Sequence, residues 1–447
     1  MTKDMTVGSP LKLILAFAIP QFIGAMFQQA YHFADIIIVS RILGEGALAA
    51  VGSVGPINFL VLGFCIGLSS GLAIPIAQFY GAKDYKTLRQ NVGNIFWICL
   101  FFGIFFTVIA VVLCRPLLEM TRTPNDIIDM ANIYLFVIFL GIPPLLVFNT
   151  LTGIMRSLGD SLTPILILIF SSVINIVLVF MLILVFGMGV AGAALATVIA
   201  QTLSAISCLI IIKKRYNVLH ISKTDFKPDF KHIKKLLAVG VPLGFMFSVM
   251  GVGSIFLQTA INSLGSVAVA AVSAASRFEG LFASATGSLG NALVAFCGQN
   301  FGAGKIDRIK ESIKSSTKIG VFYGLVAFLV VLIFGRQMAL LFVEAESEQL
   351  LNYTYQYMLI ISVFIWALAL VHIFRAAIQG MGFGKVVFVT GLLEMIGRGI
   401  VGFIFVPAFG FVAVGFAAPA AWILAAAFSI PVFIVTLKTY RLDMEKT

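Results

Sequence analysis

Asp35 is an acid among neutral polar side chains. Gln28, Gln29, Tyr31, His32 and Ser40 are its neighbours, and no Lys or Arg falls within one helical turn of it. Tyr31, four residues earlier, shares its face of a helix. A carboxylate held away from water in such company sheds its charge cost by taking a proton or binding a cation. The chemistry on offer is therefore ion coupling, with His32 either a hydrogen-bonding neighbour or a partner in proton transfer.

The other ionisable groups set in long apolar runs are Arg277, Glu279, Arg375, Glu394 and Arg398. Each costs ~2.5–3.5 kcal/mol at a bilayer centre, so each is expected to be paired or functional. Glu394 and Arg398 stand four apart with the acid first, the spacing of a structural ion pair. Arg277 and Glu279 stand two apart and face different ways, so at least one needs a partner on another helix. Arg375, near a helix end, is expected to snorkel to the interface. Gln28, Gln29, His32, Arg277, Glu279, Glu394 and Arg398 form a second tier of candidates that could line a cavity.

Other chemistries lack their residues. Gly302-Ala303-Gly304-Lys305-Ile306 approaches a phosphate loop, but it has Gln299 where the first glycine belongs and no Ser/Thr after the lysine. His32, His220, His232 and His372 are scattered, with no catalytic triad or zinc-hydrolase spacing. The five cysteines all sit in or at the ends of apolar runs and suggest neither a disulfide framework nor a metal site. The pattern speaks against an enzyme and implies no cofactor beyond a coupling ion, H⁺ or Na⁺.

The elements that must position these groups are membrane helices. Hydrophobic residues make up 60% of the 447 and charged ones 11%, with a mean hydropathy of +1.07, too little polar surface to wrap a water-soluble core. Twelve spans are expected, near 13–39, 47–79, 92–114, 128–155, 162–186, 190–212, 233–262, 267–300, 315–342, 350–380, 385–408 and 411–437. Pro20, Pro56, Pro143 and Pro242 mark expected kinks. No cleavable signal is read at the start, where the first apolar run continues for a full span.

The net charge of +11 reports topology rather than nucleic-acid binding. Outer loops hold only Arg41, Arg115, Arg122 and Arg336, while Lys83, Lys86, Arg89, Lys213 to Lys235 and Lys305 to Lys318 lie on the opposite side. By the positive-inside rule both termini are cytoplasmic, as expected of a multi-pass protein of the cell membrane.

The chain also repeats itself. Leu43-Gly44-x-x-Ala47-x-Ala49-Ala50-Val51 returns as Leu264-Gly265-x-x-Ala268-x-Ala270-Ala271-Val272, 221 residues later, and Gln78-x-x-Gly81-Ala82 returns as Gln299-x-x-Gly302-Ala303. Phe186-Gly187 returns as Phe409-Gly410 after a two-residue slip. The expected architecture is all-α: a six-helix bundle at 1–212, a cytoplasmic linker at 213–235 and a second bundle at 236–447. With six spans per copy the repeats are parallel, an arrangement transporters use to bind substrate between the halves. Gly63, Gly67 and Gly71 form a small-residue stripe suited to close helix packing.

Tyr31-His32-Phe33-Ala34-Asp35 leading into Arg41-x-Leu43-Gly44, with Ile19-Pro20, Arg156-Ser157-Leu158-Gly159-Asp160, Asn175-Ile176-Val177-Leu178 and Gln299-Asn300-Phe301-Gly302-Ala303-Gly304, resembles the multidrug and toxic compound extrusion (MATE) transporters over nearly the whole chain. The resemblance implies twelve helices in two bundles and export of small amphipathic, often cationic compounds in exchange for H⁺ or Na⁺, with the bilayer as partner and a monomer as the expected state. It is closer to the DinF-like branch than to the NorM branch. In the former, a cation site matches Asp35, Tyr31, Asn175 and Thr197, and a helix-bending proline matches Pro20. Where that pattern often has a second acid, this chain has Val179, which favours H⁺ over Na⁺. The acids of the NorM branch are absent, since 233–262 and 350–380 contain no Asp or Glu. The rivals are a flippase of lipid-linked saccharides, which would need several basic groups facing its cavity, and a non-transporting scaffold or sensor.

Overall fold

In a computed structural model, residues 2–121, 123–341 and 347–444 are described, leaving aside the side chains of 31–37, 45 and 441–444. Every described element is helical, as hydrocarbon requires of a backbone that must satisfy its own hydrogen bonds. The first repeat holds α1 (Pro10–Leu43), α2 (Glu45–Ser53), α3 (Gly55–Gly81), α4 (Tyr85–Met120), α5 (Ile128–Leu140), α6 (Ile142–Ser157), α7 (Leu162–Phe180) and α8 (Gly189–Arg215). The second holds α9 (Phe230–Asn262), α10 (Ser266–Gly302), α11 (Ile306–Ala339), α12 (Glu348–Val363), α13 (Ile365–Gly380), α14 (Gly384–Ile400), α15 (Val406–Phe409) and α16 (Phe411–Met444).

Ten helices are long and apolar enough to cross a membrane, and the count reaches 12 when the bent pairs α5/α6 and α12/α13 each make one span. Each pair is bent by 48°. Pro143 explains the first bend, because it sits in the opening turn of α6, where its missing N–H breaks the ladder from α5. The second copy bends without a proline, at Phe364. Pro56 likewise opens α3 and separates it from α2, whereas Pro20 and Pro242 lie inside unbroken helices.

The repeat is visible residue by residue. Helices α2 and α3 together span the segment that the single helix α10 spans 221 residues later, and Arg277 stands in α10 where Pro56 breaks the first copy. A π-helical stretch follows α7 at Met181–Val185 and α14 at Val401–Phe405. Gly187 and Gly410 then turn with the same φ of 63°.

The chain forms two compact units, residues 1–4 with 19–248 and residues 5–18 with 249–447. Each unit thus contains the beginning of the other repeat's first helix. In the first unit, Gly67 and Gly71 of α3 lie against the backbone of Leu243 and Gly240 in α9, where any Cβ would collide. In the second, the segment before α1 is clasped by the end of α10, the loop that follows and the start of α11: Gln299 Oε1 accepts from Met5 N at 2.8 Å, and Lys305 Nζ donates to Thr6 O at 2.9 Å. Arg308 donates to Met5 O at 3.0 Å and Gly8 O at 2.8 Å. The lysine of the phosphate-loop look-alike is thus occupied by backbone.

Candidate functional site

The residues singled out above fall in both units, and each unit uses them differently. In the first, Tyr31, His32 and Asp35 lie on α1 but outside the described side chains. Gln28 is exposed, and Gln29 and Pro20 are half-buried. Asn175 of α7 and Thr197 of α8 meet, with Asn175 Nδ2 donating to Thr197 Oγ1 at 3.3 Å and Thr197 Oγ1 donating to Ala193 O at 3.3 Å. Asn175 is 2% exposed, and its Oδ1 is buried with no hydrogen-bond partner among the described residues. A buried acceptor without any partner costs roughly 1–3 kcal/mol. Val179, one turn further along α7, is fully buried and packs with Val39, Leu182, Ala193 and Ala196. The position where the family pattern often has a second acid is therefore part of an apolar cluster.

The second unit gathers opposite charges. Glu394 of α14 is 2% exposed and accepts from Arg375 of α13 at 2.7 Å. Arg398 stands 3.9 Å from its other oxygen. The expected i,i+4 pair exists, but its shorter and stronger member is Arg375, which does not snorkel. The reason is electrostatic: a carboxylate this deeply buried needs direct charge-assisted bonds, and the guanidinium of the adjoining helix supplies one. Arg398 also reaches Ser254 Oγ at 3.4 Å and Met250 O at 3.5 Å on α9. Glu279 of α10 accepts from Tyr357 of α12 at 3.2 Å, while Arg277 is exposed. Tyr357 and Arg375 were not legible as partners, because their acids lie 78 and 19 residues away in sequence.

Outside the spans, Asp160 explains the Arg156 to Asp160 motif structurally. Its carboxylate accepts from Thr163 N at 3.0 Å, capping α7, and from Tyr216 Oη at 2.6 Å, tying down the end of α8. Burial, followed by this bond, pushes the Tyr216 hydroxyl above its ordinary range. A cavity of the first unit, about 280 Å³, is lined by apolar residues including Val92, Phe96, Ile154, Leu209 and Phe226. None of the candidate polar residues lines it.

With this geometry in view, comparisons with known proteins place the chain. The family profile described as MatE matches twice, over residues 20–181 and 242–404, one match in each repeat. The chain is 31% identical over 354 residues to "Probable multidrug resistance protein YoeA" of Bacillus subtilis, covering 78% of this chain and 76% of that protein. To "Probable multidrug resistance protein YpnP" of the same organism it is 28% identical, covering 78% and 79%. A solved structure described as the outward-facing conformation of a multidrug resistance MATE family transporter of the MOP superfamily shares the fold, with a TM-score of 0.90 and 24% identity over 98% of both chains. The chain belongs to the MatE family of multi-pass membrane transporters, built on its twelve-helix fold.

Proposed function

We propose that this transporter is a secondary active exporter of small, amphipathic, predominantly cationic compounds, driven by exchange against H⁺ with Na⁺ as the alternative ion. It acts as a monomer in the cell membrane with both termini in the cytoplasm. The multidrug names of its Bacillus relatives support the substrate class. The asymmetry of basic residues supports the orientation.

The observation that carries the coupling reading is the bare Asn175 Oδ1 beside Thr197. These two, with Asp35 and Tyr31, are the positions that match the family's cation site. Asp35 supplies the titrating carboxylate, Tyr31 and Thr197 supply hydroxyls, and Asn175 supplies an amide oxygen that can accept a hydrogen bond when the proton arrives. Pro20 lets α1 bend. Hard cations such as Na⁺ favour several oxygen ligands and compensating negative charge, and Val179 withholds the second carboxylate. That favours the proton.

The flippase reading fares worse on charge. Of the three basic residues within spans, Arg375 and Arg398 both bond or approach Glu394, which leaves little positive field for an anionic head group.

Transport in vesicles, with a panel of cationic dyes under separately imposed pH and Na⁺ gradients, tests the proposal. Dye efflux should follow the pH gradient, ignore Na⁺ and vanish in Asp35→Asn. Strict Na⁺ dependence reverses the choice of ion, and undiminished efflux by the variant removes Asp35 from the coupling role.

A further inference from the structure

The apolar cavity of the first unit has no part in the coupling site, yet its walls are well built. Ile95 and Cys99 of α4, Leu151 and Ile154 of α6 and Ile212 of α8 form three sides, and Leu219 of the segment joining α8 to α9 helps to roof it. At about 280 Å³ it exceeds what one water molecule or a benzene ring needs. The hydroxyl on its wall belongs to Thr150 and is already engaged, donating to Ser69 Oγ at 3.1 Å and meeting Cys99 Sγ at 3.5 Å. Such a space offers water too few partners and suits an apolar chain.

The roof is fastened at several points. Trp97 Nε1 donates to Phe226 O at 2.8 Å, and Asn94 Oδ1 accepts from Asp229 N at 2.8 Å. Gly93 lies against the backbone of Asp225, where any Cβ would collide. Ser222 N and Oγ both donate to the Asp225 carboxylate, at 2.8 and 2.7 Å, and close the turn. Of the lining residues, Phe96, Leu209 and Phe226 are exposed, so the cavity opens outward past them. The Phe96 and Phe226 rings meet edge to face at 5.8 Å. Trp97 beside them is a residue type that favours the boundary between hydrocarbon and water.

The ground around this mouth is basic. Lys213 and Lys214 stand in the last turn of α8, directly after Ile212, and Lys223 stands between Ile221 and Phe226. All three are exposed. Asp225 is buried, held by Ser222 and approached by Arg89 at 4.0 Å, and Asp229 is flanked in sequence by Lys227 and Lys231.

We infer that this cavity takes one acyl chain of an anionic phospholipid, whose headgroup rests against Lys213, Lys214 and Lys223. Basic groups beside an opening between membrane helices attract anionic headgroups, by about fivefold in affinity for each residue near the surface. The same charges repel organic cations, which makes this a lipid site and not a site for the exported compounds. The chain lies between α4, α6 and α8, under the strapped segment. The inference is independent of the coupling ion and of Asp35.

Photocrosslinking locates the lipid directly. The purified full-length chain in detergent is mixed with phosphatidylglycerol carrying a diazirine within one acyl chain, irradiated, digested and read by mass spectrometry. Label should fall on segments 92–99, 147–154 and 209–212. Unlabelled phosphatidylglycerol should compete it away at a concentration about tenfold lower than phosphatidylcholine needs, and tetraphenylphosphonium should not compete. Ile154→Trp, which fills the cavity, should lower this label about fivefold or more at an unchanged thermal midpoint. Label absent from these segments, or undiminished in a folded Ile154→Trp, overturns the inference. Equal competition by the two lipids overturns the headgroup assignment with it, and competition by tetraphenylphosphonium makes the cavity a place for cargo instead. If Ile154→Trp does not fold, the exposed pair Lys213→Gln with Lys214→Gln decides. It should keep the label and bring the two lipids to within about threefold of each other, and an undiminished preference for phosphatidylglycerol counts against the site.

Discussion

The two units descend from one sequence pattern yet treat charge in opposite ways. In the first, the candidate residues around Asn175 and Thr197 include no described ion pair, and one amide oxygen has no hydrogen-bond partner among the described residues. In the second, the position matching Asn175 at an offset of 223 is Arg398, and acids and guanidiniums there compensate each other. An uncompensated polar site can change state cheaply, whereas a compensated one holds helices together. The fold is duplicated, but the pattern of charges is not.

That contrast is broken most directly by neutralising one acid in each unit. Asp35→Asn should reduce dye efflux to background while the protein inserts and unfolds thermally as the wild type does. Glu394→Gln should do the reverse damage, leaving Arg375 and Arg398 without their carboxylate at a cost of roughly 3–5 kcal/mol. A lowered thermal midpoint in detergent and poor recovery from membranes would register it. If Glu394→Gln proves as stable as the wild type, the structural role given to this cluster is wrong.

Restoring the missing acid sharpens the comparison further. Val179→Asp places a carboxylate one turn from Asn175, at the cost of a buried apolar contact with Val39 and Ala196. Efflux driven by an imposed Na⁺ gradient should rise severalfold over the near-zero value of the wild type, because the added charge supplies what a hard cation lacks. No gain in Na⁺-driven efflux by a folded variant counts against the assignment of this position.

How far the sequence alone reached follows the same division. Membrane spans and the repeat are one-dimensional signals, and the offset of 221 carries Glu45 and Gly81, the ends of α2 and α3, onto Ser266 and Gly302, the ends of α10. The bend before Pro143 was legible because proline announces it, but its twin at Phe364 was not. Asn175 and Thr197 stood out only through the family resemblance, since nothing in their own spacing reveals a hydrogen bond across two helices. Arg375 was misjudged because a partner 19 residues away, on the next helix, leaves no local pattern.

A smaller effect tests whether the repeats share turn geometry as well as sequence. Gly44 (φ 83°, ψ −177°) and Gly265 (φ 93°, ψ 175°) precede α2 and α10 in a conformation that only glycine adopts readily. An added Cβ would meet nothing within 4 Å at either position. The cost of Gly→Ala is therefore backbone strain alone, about 1–3 kcal/mol. Equal losses of thermal stability at the two sites are expected, and a marked inequality would show that the copies have diverged in the turn itself.

The smallest effect lies where the copies part company. Asp84 caps α4 by accepting from Thr87 N at 3.1 Å, whereas its counterpart at offset 221, Lys305, makes no side-chain cap and instead holds Thr6. Hydrogen bonds from the Thr87 hydroxyl, then from its backbone N–H, hold the Asp84 carboxyl below its ordinary value. A carboxylate whose pKa falls on folding stabilises the native state fully above its unfolded value, about 3.9. It gives that stability up as the pH drops through the lowered native value. Asp84→Ala should therefore cost about 1 kcal/mol at neutral pH and progressively less as the pH falls through the lowered native value, so the wild-type and variant melting curves converge on acidification. Lys305→Ala has no carboxylate to lose, and its difference from the wild type should persist unchanged across the same interval. Convergence in both variants, or in neither, would mean that the acid-labile part of the stability lies elsewhere than in this cap.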